Sequence, residues 1–131
     1  MSWEKLKGRT IENIFIDKAK ENLWVKCVEE DFILSTEGDC CSKTWIEHIS
    51  VPWREAGPIV EVKEIELGEG AATRQDCDQL YVLRIILQTG GSLDVEFRNS
   101  SNGYYGGQMF PRYDIPDWVA NIEWDLVEES F

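Results

Sequence analysis

The sequence of 131 residues lacks the patterns that would identify a function directly. No apolar run approaches the ~20 residues that a helix needs to span a bilayer. There is no Walker-type phosphate loop, no Gly-x-Ser-x-Gly nucleophile turn, no His-Glu-x-x-His pair and no dinucleotide-binding fingerprint. We therefore expect a soluble protein whose function has to be inferred from the spacing of its polar segments.

Basic residues are scarce, because Lys and Arg number 13 against 25 Asp and Glu, for a formal net charge of −12. Such a field argues against direct binding to nucleic acid or to an anionic membrane. Residues 114–131 carry no Lys or Arg, and their acids are Asp114, Asp117, Glu123, Asp125, Glu128 and Glu129. This segment predicts a solvated acidic face or, alternatively, a nucleic-acid mimic that occupies a basic groove of a host protein.

Cysteine and histidine are few, with Cys27, Cys40, Cys41, Cys77 and a single His48. The adjacent Cys pair fits neither a disulfide framework nor the two-to-four-residue spacing of zinc sites. No signal-peptide pattern opens the sequence, so we expect a reducing cytosol with inert thiols and no metal or cofactor. A reactive Cys41 with His48 as its base is the weakest alternative.

Apolar residues are plentiful at 43% of the chain, including six Trp. This content argues against disorder and is sufficient for one hydrophobic core, in which we expect most of the Trp to lie. A single domain over residues 1–131 is the prediction for this length.

Two parts of the chain predict similar meanders of three antiparallel strands. Alternating apolar and β-branched residues place the first three strands at residues 8–17, 22–28 and 32–36. The order recurs with strands at residues 57–67, 79–85 and, after a Gly90-Gly91 turn, around Leu93, Val95 and Phe97. We interpret residues 8–49 and 57–107 as a two-copy repeat, and chance similarity between amphipathic strands is the alternative.

The remaining segments complete the predicted fold. Ser42 is well placed as the N-cap of a short helix at residues 43–49, which would cover the sheet with Trp45, Ile46 and Ile49. Residues 108–131 form an acidic C-terminal extension, with a turn capped by Asp117 and a last strand in which Ile122, Trp124 and Leu126 alternate with acids. The predicted class is therefore α+β and β-rich, with two pseudo-repeated three-stranded meanders, one short helix and a C-terminal strand.

Two polar segments follow the third strand of each half, and a two-fold relation between the halves would bring them together. The first is residues 39–42, and the second runs from residue 98 to residue 107 with Asn, Ser, Tyr and Gly. Gly permits close backbone approach, Asn and Ser offer hydrogen bonds, and a helix N-terminus favours an anion. The predicted ligand-binding residues are Cys41, Ser42, Trp45, Arg98, Asn99, Ser100, Ser101, Asn102, Tyr104 and Tyr105. A tight surface loop whose Tyr side chains pack on the sheet is the alternative.

The motifs Asp39-Cys-Cys-Ser42 and Trp45-Ile-Glu-His48, together with residues 98–107, resemble a family of small uncharacterised proteins encoded by tailed bacteriophages. The resemblance spans residues 8 to about 107. It implies a phage origin and a host-cytoplasmic setting, and it implies no catalytic residue. The acidic segment after Pro111 is not part of the pattern.

We expect this protein to bind a small anionic, nucleotide-like molecule without turnover, for example to sequester a host immune signal as a counter-defence. In this hypothesis Arg98 and first-turn amides contact phosphate, residues 99–102 hydrogen-bond polar edges, and Tyr104, Tyr105 or Trp45 stack on a ring. The alternative is an acidic inhibitor of a host protein that acts through its surface.

Overall fold

The computed structural model describes residues 3–39, 41–50, 55–103 and 106–128. These residues form nine β-strands and two 3₁₀ turns, Glu4–Leu6 and Asp117–Asn121. The strands are β1 (Ile11–Asp17), β2 (Asn22–Cys27), β3 (Phe32–Gly38), β4 (Lys43–Ile49), β5 (Ile59–Gly70), β6 (Cys77–Leu87), β7 (Ser92–Ser101), β8 (Gly107–Arg112) and β9 (Trp124–Leu126). Tyr104 and Tyr105, both predicted to bind ligand, lie outside the described residues, as do Cys40 and Glu129.

The strands form two antiparallel sheets that exchange strands with each other. Sheet A has the order β8-β3-β2-β1-β9, and sheet B has the order β4-β7-β6-β5. Although β4 follows β3 along the chain, it crosses to sheet B and pairs with β7. Likewise β8 follows β7 but crosses to sheet A and pairs with β3. Each sheet is thus completed by a strand from the other half of the chain.

One hydrophobic core lies between the two sheets. Its fully or almost fully buried side chains come from both sheets, among them Ile14, Leu23 and Leu34 from sheet A and Leu83, Ile85 and Val95 from sheet B. Alternation along each strand directs these side chains to the same face. The β-rich, antiparallel architecture expected from the sequence is confirmed, but the class is β rather than α+β.

The predicted helix at residues 43–49 is wrong, because those residues form β4. The prediction relied on the three-residue spacing of Ile46 and Ile49, which are both fully buried. A β-bulge between Ile46 and His48 inserts one residue, so that the next inward-facing position after Ile46 is Ile49. With this inserted residue the two buried positions are three residues apart, a spacing that also occurs on one face of a helix.

Within the described residues, no helix is long and apolar enough to cross a membrane.

Strand β7 extends further than the sequence predicts. Residues 98–101, predicted as a loop, continue β7 and pair with both β4 and β6. Asn99, Ser100 and Ser101 are fully buried, so the strand changes there from an apolar to a polar interior. Because of this change of polarity, the pattern of alternating apolar residues ends at Phe97, whereas the strand continues to Ser101. Strand β8, which begins at Gly107, is a further element that the sequence analysis did not predict.

The C-terminal segment packs differently from its prediction. The strand is only three residues long, and Ile122 and Leu126 are 38% and 42% exposed. Val127 is 3% exposed instead, because its amide donates to the Ile14 carbonyl at 2.8 Å and its side chain reaches the core. Asp117 is the first residue of the second 3₁₀ turn rather than its cap.

Candidate functional site

The two sheets meet closely where the strands cross over. Gly38 of β3 is paired with Gly107 of β8, and Thr44 of β4 is paired with Asn99 of β7. The Thr44 hydroxyl donates to Asn99 Oδ1 at 2.6 Å, and both side chains are buried. A Cβ added to Gly107 would lie 2.6 Å from Thr44 Oγ1, so only glycine fits at that position without a shift. We call these four residues the crossover cluster.

The two predicted polar segments lie side by side next to the crossover cluster. The Asp39 amide donates to the Gly106 carbonyl at 3.1 Å, and the Gly106 amide donates back to Asp39 Oδ2 at 3.2 Å. Asp39 of the first segment and Gly106 of the second therefore contact each other, next to the paired Gly38 and Gly107. The contact uses backbone groups and one carboxylate of the chain itself.

Cys41 and Ser42 occupy a turn rather than a helix start. The Ser42 hydroxyl and amide both donate to the Asp39 carbonyl, at 2.7 and 3.0 Å. Cys41 is exposed and has a φ of +70°, in the left-handed region. Because no helix follows, the predicted anion site at first-turn amides is not formed by these residues.

Arg98 is held by acidic groups of the chain. Its Nη1 lies 3.0 Å from Asp78 Oδ2, its Nε lies 2.9 Å from Glu47 Oε1, and Nη1 also donates to the Ala71 carbonyl at 3.0 Å. Asp78 is fully buried. Burial alone would raise the pKa of Asp78, but hydrogen bonds from the Ser100 and Thr73 hydroxyls and from the guanidinium outweigh burial and hold the pKa below its ordinary value. An anion at Arg98 would have to compete with two carboxylates.

The remaining serines and Trp45 contact the loop between β5 and β6. The Ser100 hydroxyl accepts from the Gln75 amide at 3.0 Å, and Gln75 Nε2 donates to the Cys41 carbonyl at 2.8 Å. The guanidinium of Arg74 lies 4.7 Å from the centre of the Trp45 ring. This loop therefore covers several of the predicted binding residues on the outer face of sheet B.

Ser101 and Asn102 begin the connection to β8. The buried Ser101 hydroxyl accepts from the Gly103 amide at 3.0 Å, which stabilises the turn. Asn102 is exposed beside it. The serines at 100 and 101 thus satisfy backbone groups of their own chain.

Among the described thiols, Cys41 lies far from the histidine. Cys41 and His48 are separated by seven residues of mostly extended chain, or about 20 Å at 3.3 Å per residue. Burial raises the pKa of Cys27 to about 12, which leaves that thiol protonated at neutral pH. Across the described residues, no three His, Cys, Asp or Glu side chains are grouped so as to hold a metal ion.

A cleft of about 430 Å³ opens beside the crossover cluster, between the edge strands β5 and β8. It is lined by Glu64, Ile65, Glu66, Tyr81, Val82, Leu83, Phe97, Gly107, Gln108 and Met109. An adjoining depression of about 230 Å³ shares Glu66 and Tyr81 and adds Glu37 and Asp39. We call the two together the acidic cleft.

Tyr81 is the aromatic residue at the centre of the acidic cleft. Its ring stacks on Phe97 at 5.0 Å, and its hydroxyl accepts weakly from the Gly107 amide at 3.5 Å. The surrounding carboxylates are Glu37, Asp39, Glu64 and Glu66.

Three of the four carboxylates of the acidic cleft accept hydrogen bonds from uncharged donors. Trp3 Nε1 donates to Glu64 at 2.5 Å, Gln108 Nε2 donates to Glu37 at 3.4 Å, and the Gly106 amide donates to Asp39. Within the described chain none of the four forms an ion pair with a Lys or Arg. The acidic cleft therefore has a negative potential and is suited to a cation.

Sequence analysis missed the acidic cleft and also Asp78, Gln75 and Arg74. The glutamates at 64 and 66 alternate with Ile65 in a strand, a signal for a shared face, but a chain with 25 acids offers many such pairs. Asp78 directly precedes the strand predicted at residues 79–85, whereas it lies within β6 and is fully buried.

Comparison with known proteins places the chain in a family. The chain belongs to the family described as a domain of unknown function, DUF7448, which it matches over residues 4–110. It is similar to an uncharacterised protein, L278, of Acanthamoeba polyphaga mimivirus, with 33% identity over 83 residues. That match covers 59% of this chain and 64% of the viral protein, so the chain spans less than two thirds of the length of this relative. No solved structure gives a significant match.

Proposed function

We propose that this protein binds a positively charged segment of another protein in the acidic cleft, without chemical turnover. The observation that carries the proposal is a set of four carboxylates around Tyr81 that have no basic partner among the described residues. The sequence analysis gives a related alternative, an acidic inhibitor of a host protein that mimics nucleic acid. In that alternative the acidic C-terminal segment is the binding surface, whereas we propose the acidic cleft.

The physical reason is electrostatic complementarity. Carboxylates that share a cleft repel one another, and a bound ammonium or guanidinium group relieves that repulsion while the walls of the cleft reduce screening by solvent. The exposed ring face of an aromatic residue attracts the same groups through the cation–π interaction. By contrast, the C-terminal acids Glu123 and Asp125 already lie within 3.4 and 4.0 Å of Lys18 Nζ. The acidic cleft is therefore the better site for a basic partner.

The proposal is tested with a short acetylated peptide in which Lys alternates with Thr, and with a second peptide in which Glu replaces each Lys. Calorimetry at low ionic strength should detect binding of the Lys peptide only. The double variant Glu64→Gln/Glu66→Gln should bind about five- to tenfold more weakly, since two charge pairs of modest strength are lost. The matched control is Glu123→Gln/Asp125→Asn, which removes the same charge outside the acidic cleft and should bind like the wild type.

Equal weakening of both double variants would mean that net charge, rather than the acidic cleft, attracts the peptide. Absence of any binding by folded wild-type protein would contradict the proposal as a whole. Added salt should weaken the wild-type complex, because exposed charge pairs are screened.

Binding of a small anionic, nucleotide-like molecule is a second candidate, and the Arg74 guanidinium over the Trp45 ring is the observation that favours it. A planar base next to these groups would gain stacking and a nearby positive charge. Calorimetry against a panel of cyclic and linear nucleotides tests this candidate, with Trp45→Ala expected to abolish any heat that the wild type gives. Arg74→Gln, which removes the positive charge next to the Trp45 ring, should weaken the same binding.

The origin and the internal repeat remain proposals too. The viral relative supports a viral source, and a tailed phage acting in the cytoplasm of its host is the specific form that we propose. The reciprocal exchange of β4 and β8 supports the interpretation of residues 8–49 and 57–107 as related halves. Each half contributes three strands and is followed or ended by a strand that crosses to the other sheet, and the second crossing strand, β8, extends from residue 107 to residue 112.

A further inference from the structure

Strand β5 is the long open edge of sheet B. It has twelve residues, Ile59–Gly70, and is the last strand in the order of its sheet. Among the described residues, backbone hydrogen bonds to its outer side are made at its first residue, where the Gly8 amide donates to the Ile59 carbonyl at 2.8 Å and the Ile59 amide donates to the Arg9 carbonyl at 2.9 Å. The Trp3 side chain also donates to the Glu64 carboxylate. An edge strand directs every second pair of backbone amide and carbonyl groups away from its sheet.

The other sheet edges in the described part of the chain are short or blunted. Strand β9 has three residues, and β8 contains Pro111, which has no amide hydrogen to donate. Strand β4 is partly covered, because the Ile46 amide donates to the Lys20 carbonyl at 2.7 Å. Natural sheets normally block their edges in such ways. Strand β5 is the exception among these four edges.

The central part of β5 is a regular strand of ordinary length. Its pairing with β6 is continuous from Glu61 to Glu66, and bulges interrupt it on either side, at Val60 and Leu67. These two bulged residues are 44% and 53% exposed, which is unusual for apolar side chains on an otherwise acidic edge. Six residues between the bulges match the typical length of a strand.

The two faces of this stretch differ in charge. Glu64 and Glu66 are paired with Leu83 and Tyr81 of β6 and share their face of sheet B, which lines the acidic cleft. Lys63 and Ile65 alternate with them on the other face, and Ile65 also borders the acidic cleft. A strand added beside β5 would place its own alternate side chains next to these residues. The face of such a strand that meets the acidic cleft should therefore be basic, and its other face uncharged.

We propose that β5 receives an extended segment of the partner as a fifth strand of sheet B, with Lys or Arg at every second position facing the acidic cleft. This inference rests on the proposed function, because it specifies how the basic partner is recognised. A second copy of this chain fits less well, since β5 carries four Glu and one Lys and two such edges would repel each other. Strand addition obtains affinity from backbone hydrogen bonds and specificity from alternate side chains.

Selective backbone methylation tests this inference with the alternating Lys–Thr peptide. One version carries N-methyl groups on all Lys amides, and a second version carries them on all Thr amides. In an added strand only one of these two sets donates hydrogen bonds to β5. One version should therefore lose more than about tenfold in affinity, because several hydrogen bonds are lost together, while the other should bind much like the unmodified peptide. Amide NMR shifts of the full-length protein should move along Glu61 to Glu66.

The outcomes separate the inference from the proposed function. If both methylated peptides bind as tightly as the unmodified one and binding still depends on Glu64 and Glu66, the basic partner is bound without strand addition and the inference is wrong. If sedimentation at high protein concentration shows a dimer and the same NMR shifts appear without peptide, a second copy is the occupant and the inference is again wrong. Loss of affinity for only one methylated version, with a monomeric protein, supports it.

Discussion

The crossover cluster and the acidic cleft are both polar, they are adjacent, and they share Gly107, yet their polar groups have opposite environments. In the crossover cluster Thr44 and Asn99 are buried and hydrogen-bonded to each other. In the acidic cleft the glutamates at 64 and 66 are exposed and have no basic partner among the described residues. The comparison shows that a high density of polar residues in the sequence marks a site only where those groups are not already satisfied by the chain.

The largest loss of stability is expected for Asn99→Ala, a substitution in the crossover cluster. The substitution removes a fully buried amide and leaves the Thr44 hydroxyl without its acceptor, so it should lower the free energy of unfolding by about 2 to 3 kcal/mol. Urea denaturation followed by Trp fluorescence measures the change. The double variant with Thr44→Val should lose less than the sum of the two single changes, because both polar partners are then removed. Strict additivity would show that the hydrogen bond contributes nothing.

Gly107→Ala should have the next largest effect. The added Cβ would lie 2.6 Å from Thr44 Oγ1 and 2.9 Å from Asn99 Cβ, so the two sheets must move apart at a cost of about 1 to 3 kcal/mol. Gly106→Ala is the matched control, because the closest atom to its Cβ is the Tyr81 hydroxyl at 3.3 Å. Thermal unfolding of the two variants should rank the Gly107 variant as clearly less stable. The reverse order would contradict the close packing described for the crossover cluster.

Asp78→Asn should change the pH dependence of stability. The pKa of Asp78 is lower in the folded chain than its ordinary value, so its contribution is fully present above the unfolded pKa of about 3.9 and is lost as pH falls through the folded pKa. The wild type should therefore lose more stability between pH 7 and pH 3 than the variant does. Denaturation at the two pH values measures this, with the exposed Asp76→Asn as control. Identical losses in wild type and Asp78→Asn would contradict the lowered pKa of Asp78.

The smallest effect on stability is expected for Glu64→Gln/Glu66→Gln, the variant that should weaken peptide binding. Both side chains are exposed, so the free energy of unfolding should stay within about 0.5 kcal/mol of the wild type. A large loss of stability would mean that the carboxylates of the acidic cleft stabilise the fold, as the crossover cluster does. Unchanged stability together with weakened peptide binding would mean that the crossover cluster stabilises the fold and the acidic cleft binds the peptide.

Much of the fold was predictable because it follows from local patterns. Residues 22–28 and 79–85 alternate clearly and form β2 and β6 within one or two residues of their predicted bounds. The bulge in β4 was not predictable, since an inserted residue is defined only by its partner strand. The crossing strands are joined by side-chain hydrogen bonds between residues 55 positions apart, Thr44 and Asn99, and 77 positions apart, Ser35 and Arg112. No local sequence pattern contains such distant contacts.

The candidate site was predictable only in part. The sequence predicts that the two polar segments lie near each other, and Asp39 and Gly106 are in contact because β3 pairs with β8, a strand that was not predicted. The direction of the side chains does not follow, because it depends on whether residues 98–101 form a loop or a strand. Since they form a strand, Asn99 points to Thr44 and Arg98 to Asp78 on the opposite face.

The exchange of strands has a consequence for the synthesis of this protein. When the ribosome has translated the first half, β3 has emerged but its partner β8 has not yet been synthesised. Strand β4 has also emerged before its partner β7. For that interval the nascent chain displays unpaired strand edges, which are prone to pairing with other chains. Pairing of the two crossing strands is completed only after residue 112 has left the exit tunnel, and β1 gains its partner β9 later still. We therefore expect slow folding and a need for protection by cellular chaperones until then.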